Sequence, residues 1–580
     1  MNLFADVRTL VLSCLEEMVR RGALPDGLSF DAVTVEPPRD ASHGDMATNA
    51  AMVLAKGAGK KPRDIAQDLA ELMAQDARVT SADVAGPGFL NLRLTPETWQ
   101  GILPEVLSVG SNFGRSSIGL GQRVNVEFVS ANPTGPLHVG HTRGAVFGDA
   151  LAGLLDFAGY DVTREYYIND GGGQVDTLAR SVYLRYLEAH GHDVSFPEGT
   201  YPGDYLVPLG EALKERVGDA YLGQDEGFWL EDVRVFATKA MLDLITDDLK
   251  RLGVTMDRWF SERSLYETDR IDDALRRLDD LGLIYTGTLE PPKGKTPEDW
   301  EPREQTLFRS TSYGDDVDRP VKKSDGSWTY FAPDIAYHND KVERGYDQLI
   351  NVFGADHSGY VKRMKAAVAA LSQEKTPLEI KLTQLVKLFK DGQEFKMSKR
   401  AGTFVTLRDV VDEVGPDVTR FVMLTRKNDA KLDFDFNKAL EQSKDNPVFY
   451  VQYAHARVAS VLRRAAEQGL PTEDSALGAA EMSRLSASEE MALIQKLAEW
   501  PRLVETSASQ HEPHRVAFYL YDLASAFHGY QHAGKLNPNL RIVQPDAPEQ
   551  TLARLALVRA VAVVIAAGLG ILGITPVDEM

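Results

Sequence analysis

Two short motifs, far apart in the chain, constrain its fold more than any other feature: His138-Val139-Gly140-His141 and Lys396-Met397-Ser398-Lys399-Arg400. The first lies in VNVEFVSANPTGPLHVGHTRGAVFGDALAGLLDFAGY. Residues 124–129 read as a strand that ends in a Pro/Gly turn. Residues 144–157 read as a helix, with Val146, Leu151, Leu154 and Leu155 on one face. The histidines then fall in the turn between strand and helix, where free backbone N–H groups and the positive end of the helix dipole gather anions. Gly140 is small enough to let a nucleotide lie close to the backbone.

The second motif lies in LFKDGQEFKMSKRAGTFVTLRDVV. Asp391-Gly392 predicts a hairpin turn, with strand residues Leu388-Phe389 before it and Glu394-Phe395 after it. KMSKRAG is then a basic loop ended by glycine, and a helix opens at Leu407. Three cations in five residues can neutralise a pyrophosphate as its charge develops. A charge run by itself is usually a solvated face. Paired with the histidine motif, it describes a site for the triphosphate of ATP. A zinc pair is the other reading of His138 and His141, but no third ligand is nearby.

At 580 residues the chain is too long for one core, and three or four domains are expected. Its 43% apolar and 26% charged content is that of a globular protein. Cys14 is the only cysteine, which excludes a disulfide within the chain and a cysteine-based zinc site, and fits a reducing cytoplasm. The opening MNLFADVRTLVLSCLEEMVRR carries charges throughout and reads as an amphipathic helix, not a signal peptide. The longest apolar run, 560–574, contains several glycines and falls short of a membrane span, so a buried terminal helix is expected. The net charge of −21 opposes nucleic-acid binding. It is unevenly spread, however. From Asn446 onward, 11 Lys+Arg face 14 Asp+Glu, a net of −3 that leaves −18 for the first 445 residues. A polyanion could track the less acidic part.

Residues 1–115 form a candidate first domain, closed by the Gly/Ser-rich SVGSNFGRSSIGLGQ. Residues 116–445 alternate strand and helix and predict a nucleotide-binding parallel sheet with ligands at the carboxyl ends of its strands. A mostly helical insertion is expected around 179–304. Residues 446–580 read as long helices at about 450–466, 488–499, 513–531 and 551–567, a helical bundle.

Several extended stretches resemble class I aminoacyl-tRNA synthetases, and among them the bacterial-type arginyl-tRNA synthetases. They are VEPPRDASHGDMATNAAMVLAK and VAGPGFLNLRL near the start, and VEFVSANPTGPLHVGH, YYINDGGGQ, TYFAPDIAYHNDK and NVFGADHSGY in the middle. NPVFYVQYAHARVASVLR and GLGILGITPVDEM follow toward the end. Two details bear on the resemblance. Relatives without an intact KMSK loop carry a lysine three places before the first histidine. Here that place holds Gly135 and the loop is intact. Many relatives also have a basic residue beside the final methionine, where this chain has Glu579.

The resemblance implies an α/β fold: a Rossmann-type catalytic core with a parallel sheet and helical insertion, an α+β amino-terminal tRNA-binding domain, and a carboxy-terminal anticodon-binding bundle. It implies an arginine–tRNA ligase that forms arginyl-adenylate from arginine and ATP and passes the arginyl group to the 2′-OH of the terminal adenosine of tRNA(Arg), with the first step dependent on tRNA. Mg²⁺ would accompany ATP, with no zinc and no prosthetic group. A cytoplasmic monomer with no membrane contact is expected. His138, His141, Lys396 and Lys399 would be catalytic, and Gly140, Met397 and Ser398 would complete the ATP site. Glu127 and Asn132 match the α-amino and α-carboxylate end of the arginine pocket, and Tyr330 and Asp334 the guanidinium end. Acids suit a guanidinium, a planar fork of donors. Asp356 and His357 would lie at the ribose or substrate edge. For tRNA, Phe89 and Asn91 resemble the family's aromatic-x-Asn pair, and Tyr450, Tyr453 and Arg457 share a helical face suited to stacking on bases. Two rivals remain open: a synthetase for a different amino acid, which the acids Glu127 and Asp334 oppose, and a catalytically idle RNA-binding paralogue, which the two intact motifs oppose.

Overall fold

The computed structural model describes residues 2–38, 40–289, 303–395, 405–443 and 445–580. The KMSKR loop, with Lys396, Met397, Ser398 and Lys399, lies outside the described residues. The chain divides into two compact units. One holds residues 117–446 and 572–574; the other holds 1–116, 447–571 and 575–580.

The first unit is built on a five-stranded sheet. Its strands lie in the order Leu378–Thr383, Gln348–Gly354, Arg123–Glu127, Asp161–Ile168, Arg258–Ser261, and every neighbouring pair is parallel. The central strand, RVNVE, is buried on both faces from its second residue onward, as a sheet covered on both sides requires. It ends two residues earlier than the sequence predicts. Val129 and Ser130 have φ of 70° and 38°, a left-handed conformation that costs a β-branched residue energy and takes the chain out of the sheet. The following helix spans Val139–Phe157 and so begins five residues before the predicted start. His138 is its N-cap and His141 lies in its first turn.

Chain 179–304 is not uniformly helical. Gly173–Ala189, Val207–Val217 and Glu226–Arg251 are helices around one apolar cluster that includes Val182, Tyr186, Trp229 and Val233. Arg258–Ser261, by contrast, is the edge strand of the main sheet, and Ile284–Gly287 pairs into a separate antiparallel sheet. The hairpin at Asp391-Gly392 forms as read: Leu388 pairs with Phe395 and Phe389 with Glu394. Both turn residues have positive φ, 53° and 75°, which a tight two-residue turn demands.

In the second unit, the strands Val35–Glu36, Met46–Thr48, Phe89–Leu94 and Val79–Ala85 form an antiparallel sheet in that order. The helix Pro548–Ile571 packs against Pro447–Glu467, His514–Leu536 and Ile102–Val109. Counted from its true start, this helix is long and apolar enough to cross a membrane by length and composition, unlike the shorter run read from the sequence. Its apolar window is 83% buried against the rest of the chain, as in the core helix of a bundle. The carboxyl terminus folds back on Pro447–Glu467: His455 Nδ1 bonds the Val577 carbonyl at 2.9 Å, and Arg463 lies 3.5 Å from Glu579.

Candidate functional site

The central strand Arg123–Glu127 is followed in space by Asp161–Ile168 on one side and by the much later Gln348–Gly354 on the other. Connections diverge there, and the crevice beyond its carboxyl end is where an open parallel sheet binds ligands. His138 and His141 stand at this edge. The Gly140 N–H donates to His138 Nδ1 at 3.1 Å, and the His138 N–H donates to His141 Nδ1 at 3.2 Å. Their rings stack at 3.7 Å between centroids. Because each Nδ1 accepts a backbone proton, each neutral ring carries its own proton on Nε2. The pair thus presents two fixed donors, suited to phosphate oxygens. Gly140 is required for a reason the sequence did not reveal: a Cβ there would lie 2.9 Å from Cε1 of His138 and displace the ring.

The described downstream flank of the KMSKR loop reaches this place. Upstream, Phe395 ends the hairpin. Downstream, the Val139 N–H donates to the Val405 carbonyl (3.2 Å) and the Leu407 N–H to the Leu137 carbonyl (2.7 Å). Thr406 pairs with His138 and caps the helix Leu407–Val414 through a reciprocal bond with Asp409. The loop's exit is therefore tied to the backbone of the histidine motif.

Along the carboxyl ends of the sheet strands lies a group of acids and tyrosines. Asp334 is in the first turn of the helix Phe331–Glu343. Burial first, then the charges of Glu262 and Glu127, raise its pKa to about 8, with Arg363 opposing. Among the described residues, no side chain hydrogen-bonds to its carboxylate. Burial also raises the pKa of Glu262, whose carboxylate accepts the Tyr266 hydroxyl at 3.2 Å. The Tyr167 hydroxyl is pushed well up by burial and by Asp334, Glu262, Tyr266 and Glu127. A Cβ at Gly171 would meet the Tyr266 ring at 2.6 Å, so glycine makes room for this wall. Tyr330, the N-cap of the same helix, is 79% exposed. Acids crowded until one resists ionising form an environment that calls for a cation. Glu262, Tyr266 and Tyr167 carry no motif in the sequence that marks them for this group. The only available signal was that a second acid is needed to meet a guanidinium, and nothing local marks which one.

The remaining candidates are dispersed in their surroundings. Glu127 is buried at the strand end. Its carboxylate accepts Lys341 Nζ at 2.6 Å and the Ser130 hydroxyl at 3.1 Å. Asn132 is exposed and donates to Gln174 at 2.7 Å. Asp356 and His357 stand exposed on a 3₁₀ turn after Gln348–Gly354, 3.6 Å apart. In the other unit Phe89 is 42% exposed, while Asn91, two residues along the same strand, is only 8% exposed. Tyr450, Tyr453 and Arg457 do share one region of the helix Pro447–Glu467. The Tyr450 ring lies 5.2 Å from Tyr521 and 4.6 Å from His528, and Tyr453 lies 5.5 Å from His528. Burial and the Arg457 charge hold the His528 pKa down, so that ring is neutral in this aromatic group. Tyr521 and His528 were missed, though with the exposed Phe518 their spacing along His514–Leu536 repeats one helical face.

Comparison with known proteins agrees with this geometry. Family models match three stretches: the arginyl tRNA synthetase N terminal domain at residues 5–94, the class I (R) tRNA synthetase catalytic domain at 103–194 and 301–458, and the DALR anticodon binding domain at 451–580. A Roseobacter denitrificans arginine–tRNA ligase is 71% identical and a Ruegeria pomeroyi one 68% identical, each over the whole of both chains. The solved Thermus thermophilus arginyl-tRNA synthetase shares the fold, with a TM-score of 0.72 at 22% identity, covering all of both chains. The parallel sheet with its histidine turn is thus the catalytic core of a class I aminoacyl-tRNA synthetase. Within that class, the chain belongs to the bacterial arginyl-tRNA synthetase family.

Proposed function

We infer that this protein charges tRNA(Arg) with arginine. The arginine carboxylate attacks the α-phosphorus of Mg²⁺-bound ATP, forming arginyl-adenylate and expelling pyrophosphate. The 2′-OH of the terminal adenosine then attacks the activated carbonyl, its proton is lost, and AMP leaves. No protein nucleophile is needed, so positioning and electrostatic stabilisation do the work.

The observation that supports this reading most is the pairing of two Nε2 donors at the sheet edge with an acid group short of a cation. His138 and His141 would meet phosphate oxygens, with the Gly140 backbone alongside. Lys396 and Lys399 would take the β- and γ-phosphates, with Met397 and Ser398 shaping the loop. Asp334 and Tyr330, joined by Glu262, would face the guanidinium. Glu127 would face the α-amino group, Asn132 the α-carboxylate end, and Asp356 and His357 the ribose edge. Phe89 and Asn91 would read the outer corner of the tRNA, and Tyr450, Tyr453 and Arg457 the anticodon. In this reading residues 1–115 and 446–580 bind tRNA, residues 116–445 catalyse, and the enzyme is a cytoplasmic monomer that activates arginine only with tRNA bound. Charging of purified tRNA isoacceptors with each of the twenty amino acids tests the assignment. Arginine on arginine isoacceptors alone is expected; stable charging with any other amino acid overturns it.

A further inference from the structure

The helix Phe331–Glu343 presents an unusual face to the sheet. Buried Tyr337, His338 and Lys341 occupy positions where a helix covering a parallel sheet normally carries aliphatic residues. Beneath them runs a polar row across three strands. Register places Glu127 beside Glu165 on one side and beside Asn351 on the other. Two carboxylates on adjacent strands repel, and each has its own cation. Glu165 is held by both oxygens, at 2.6 and 2.8 Å, by the Arg344 guanidinium, with Asn125 and Tyr337 also donating. That carboxylate is saturated and reads as structural.

Glu127 is held differently. Lys341, fully buried, donates to Oε2 alone at 2.6 Å, and Ser130 donates to Oε1 at 3.1 Å. An ammonium is a point donor, where a guanidinium is a fork, so acceptor capacity remains on Glu127. Both holds are themselves fixed. Lys341 Nζ also donates to Asn351 Oδ1 at 3.2 Å. Asn351 Nδ2 in turn bonds His338 Nε2 at 2.9 Å, and His338 Nδ1 donates to the Asp334 carbonyl at 2.8 Å. Burial lowers the His338 pKa to about 3, so the ring stays neutral and this donor order is the one available. Ser130 is aimed by the left-handed Val129–Ser130 turn, and its oxygen accepts the Tyr167 N–H at 3.1 Å. Backbone strain beside a carboxylate that keeps spare acceptor capacity marks a pre-organised group.

We propose that Lys341, locked by Asn351 and His338, is a positioning residue for arginine. It keeps the Glu127 carboxylate oriented so that the remaining lone pairs receive the substrate α-amino group. This rests on the reading of Glu127 given above. The thread also runs from Asp334 at the guanidinium end to Glu127 at the amino end, so both ends of the substrate are registered on one helix. Lys341 touches no substrate. Its effect must therefore appear only through ligands that carry an α-amino group.

The test compares L-arginine with 5-guanidinopentanoate, the same molecule without the α-amino group, as substrate and competitive inhibitor in aminoacylation at saturating ATP and tRNA. Lys341→Met should raise the arginine KM at least about tenfold. The KM for ATP and the inhibition constant of 5-guanidinopentanoate should stay within about twofold. Glu127→Gln should show the same selective pattern. Equal weakening of both ligands by Lys341→Met would overturn the proposal. Selective loss in Glu127→Gln with none in Lys341→Met would overturn the proposal alone, while an unchanged arginine KM in Glu127→Gln would remove the reading beneath it. Should Lys341→Met not fold, Asn351→Ala keeps both charges and frees the ammonium from its second acceptor. The same selectivity is expected there at roughly three- to fivefold, and unselective loss refutes the idea.

Discussion

Arginine capture should be linked to loss of a proton. Asp334 has a pKa of about 8, raised by burial first and then by Glu262 and Glu127. Below that pH the carboxyl holds its proton and cannot pair with a guanidinium, so arginine must expel the proton to bind. The ionised fraction falls from about three quarters at pH 8.5 to about 3% at pH 6.5, and kcat/KM for arginine should fall roughly 25-fold over that range. The slope of log kcat/KM against pH approaches +1 below about pH 7.5. The assay is aminoacylation at limiting arginine with saturating ATP and tRNA, each point corrected by kcat/KM for tRNA at the same pH. Asp334→Asn should lower the whole profile and remove this slope. Calorimetry in buffers of different ionisation enthalpy should register close to one proton released at pH 7. A flat wild-type profile between pH 6.5 and 8.5, or a slope that survives in Asp334→Asn, would refute the reasoning.

The same carboxyl carries a stability cost. Between its ordinary value of 3.8 and about 8, the folded chain holds a proton that the unfolded chain has lost, so its contribution to stability declines as pH rises through that window. Asp334→Asn should therefore raise Tm by several degrees above pH 8 and progressively less toward pH 5, read by thermal denaturation; an unchanged difference across pH would contradict it. Lys399→Ala should slow single-turnover activation about a hundredfold or more, on the order of 3 kcal/mol, while barely altering arginine affinity. Near wild-type activation would remove the lysine from the leaving-group role. Tyr453→Ala and Arg457→Ala should weaken tRNA binding and charging by about tenfold, with the arginine KM unchanged at saturating tRNA, since both act through tRNA alone.

Motifs whose chemistry is local were legible in the sequence, and groups assembled by topology were not. The Asp391-Gly392 hairpin followed from turn chemistry alone. The histidine turn was placed correctly, but its helix begins at Val139 and not at Gly144, because histidine caps through ring nitrogens that no propensity scale credits. The strand end was misread because Val129, a strong strand former, is held left-handed against its own preference. Glu262 and Tyr266 join Asp334 only because the Asp161–Ile168 and Arg258–Ser261 strands are neighbours. The second of these strands lies within a stretch that reads as helical insertion. Lys341 has the opposite problem: a lysine on a helix is ordinarily solvated, and only the sheet register beneath it shows why this one is buried.

The most direct measurement of the central claim is ATP–pyrophosphate exchange by rigorously tRNA-free protein, run with each amino acid and then repeated with tRNA(Arg). The segment from residue 405 to 446 joins the KMSKR loop to the carboxy-terminal helices, and tRNA binding energy spent on completing the catalytic site would make activation wait for tRNA. The expected result is no exchange without tRNA and arginine-dependent exchange, with no other amino acid active, once tRNA(Arg) is added. Robust exchange without tRNA would contradict the coupling, and exchange driven by another amino acid, or none with arginine and tRNA together, would contradict the account of the site itself.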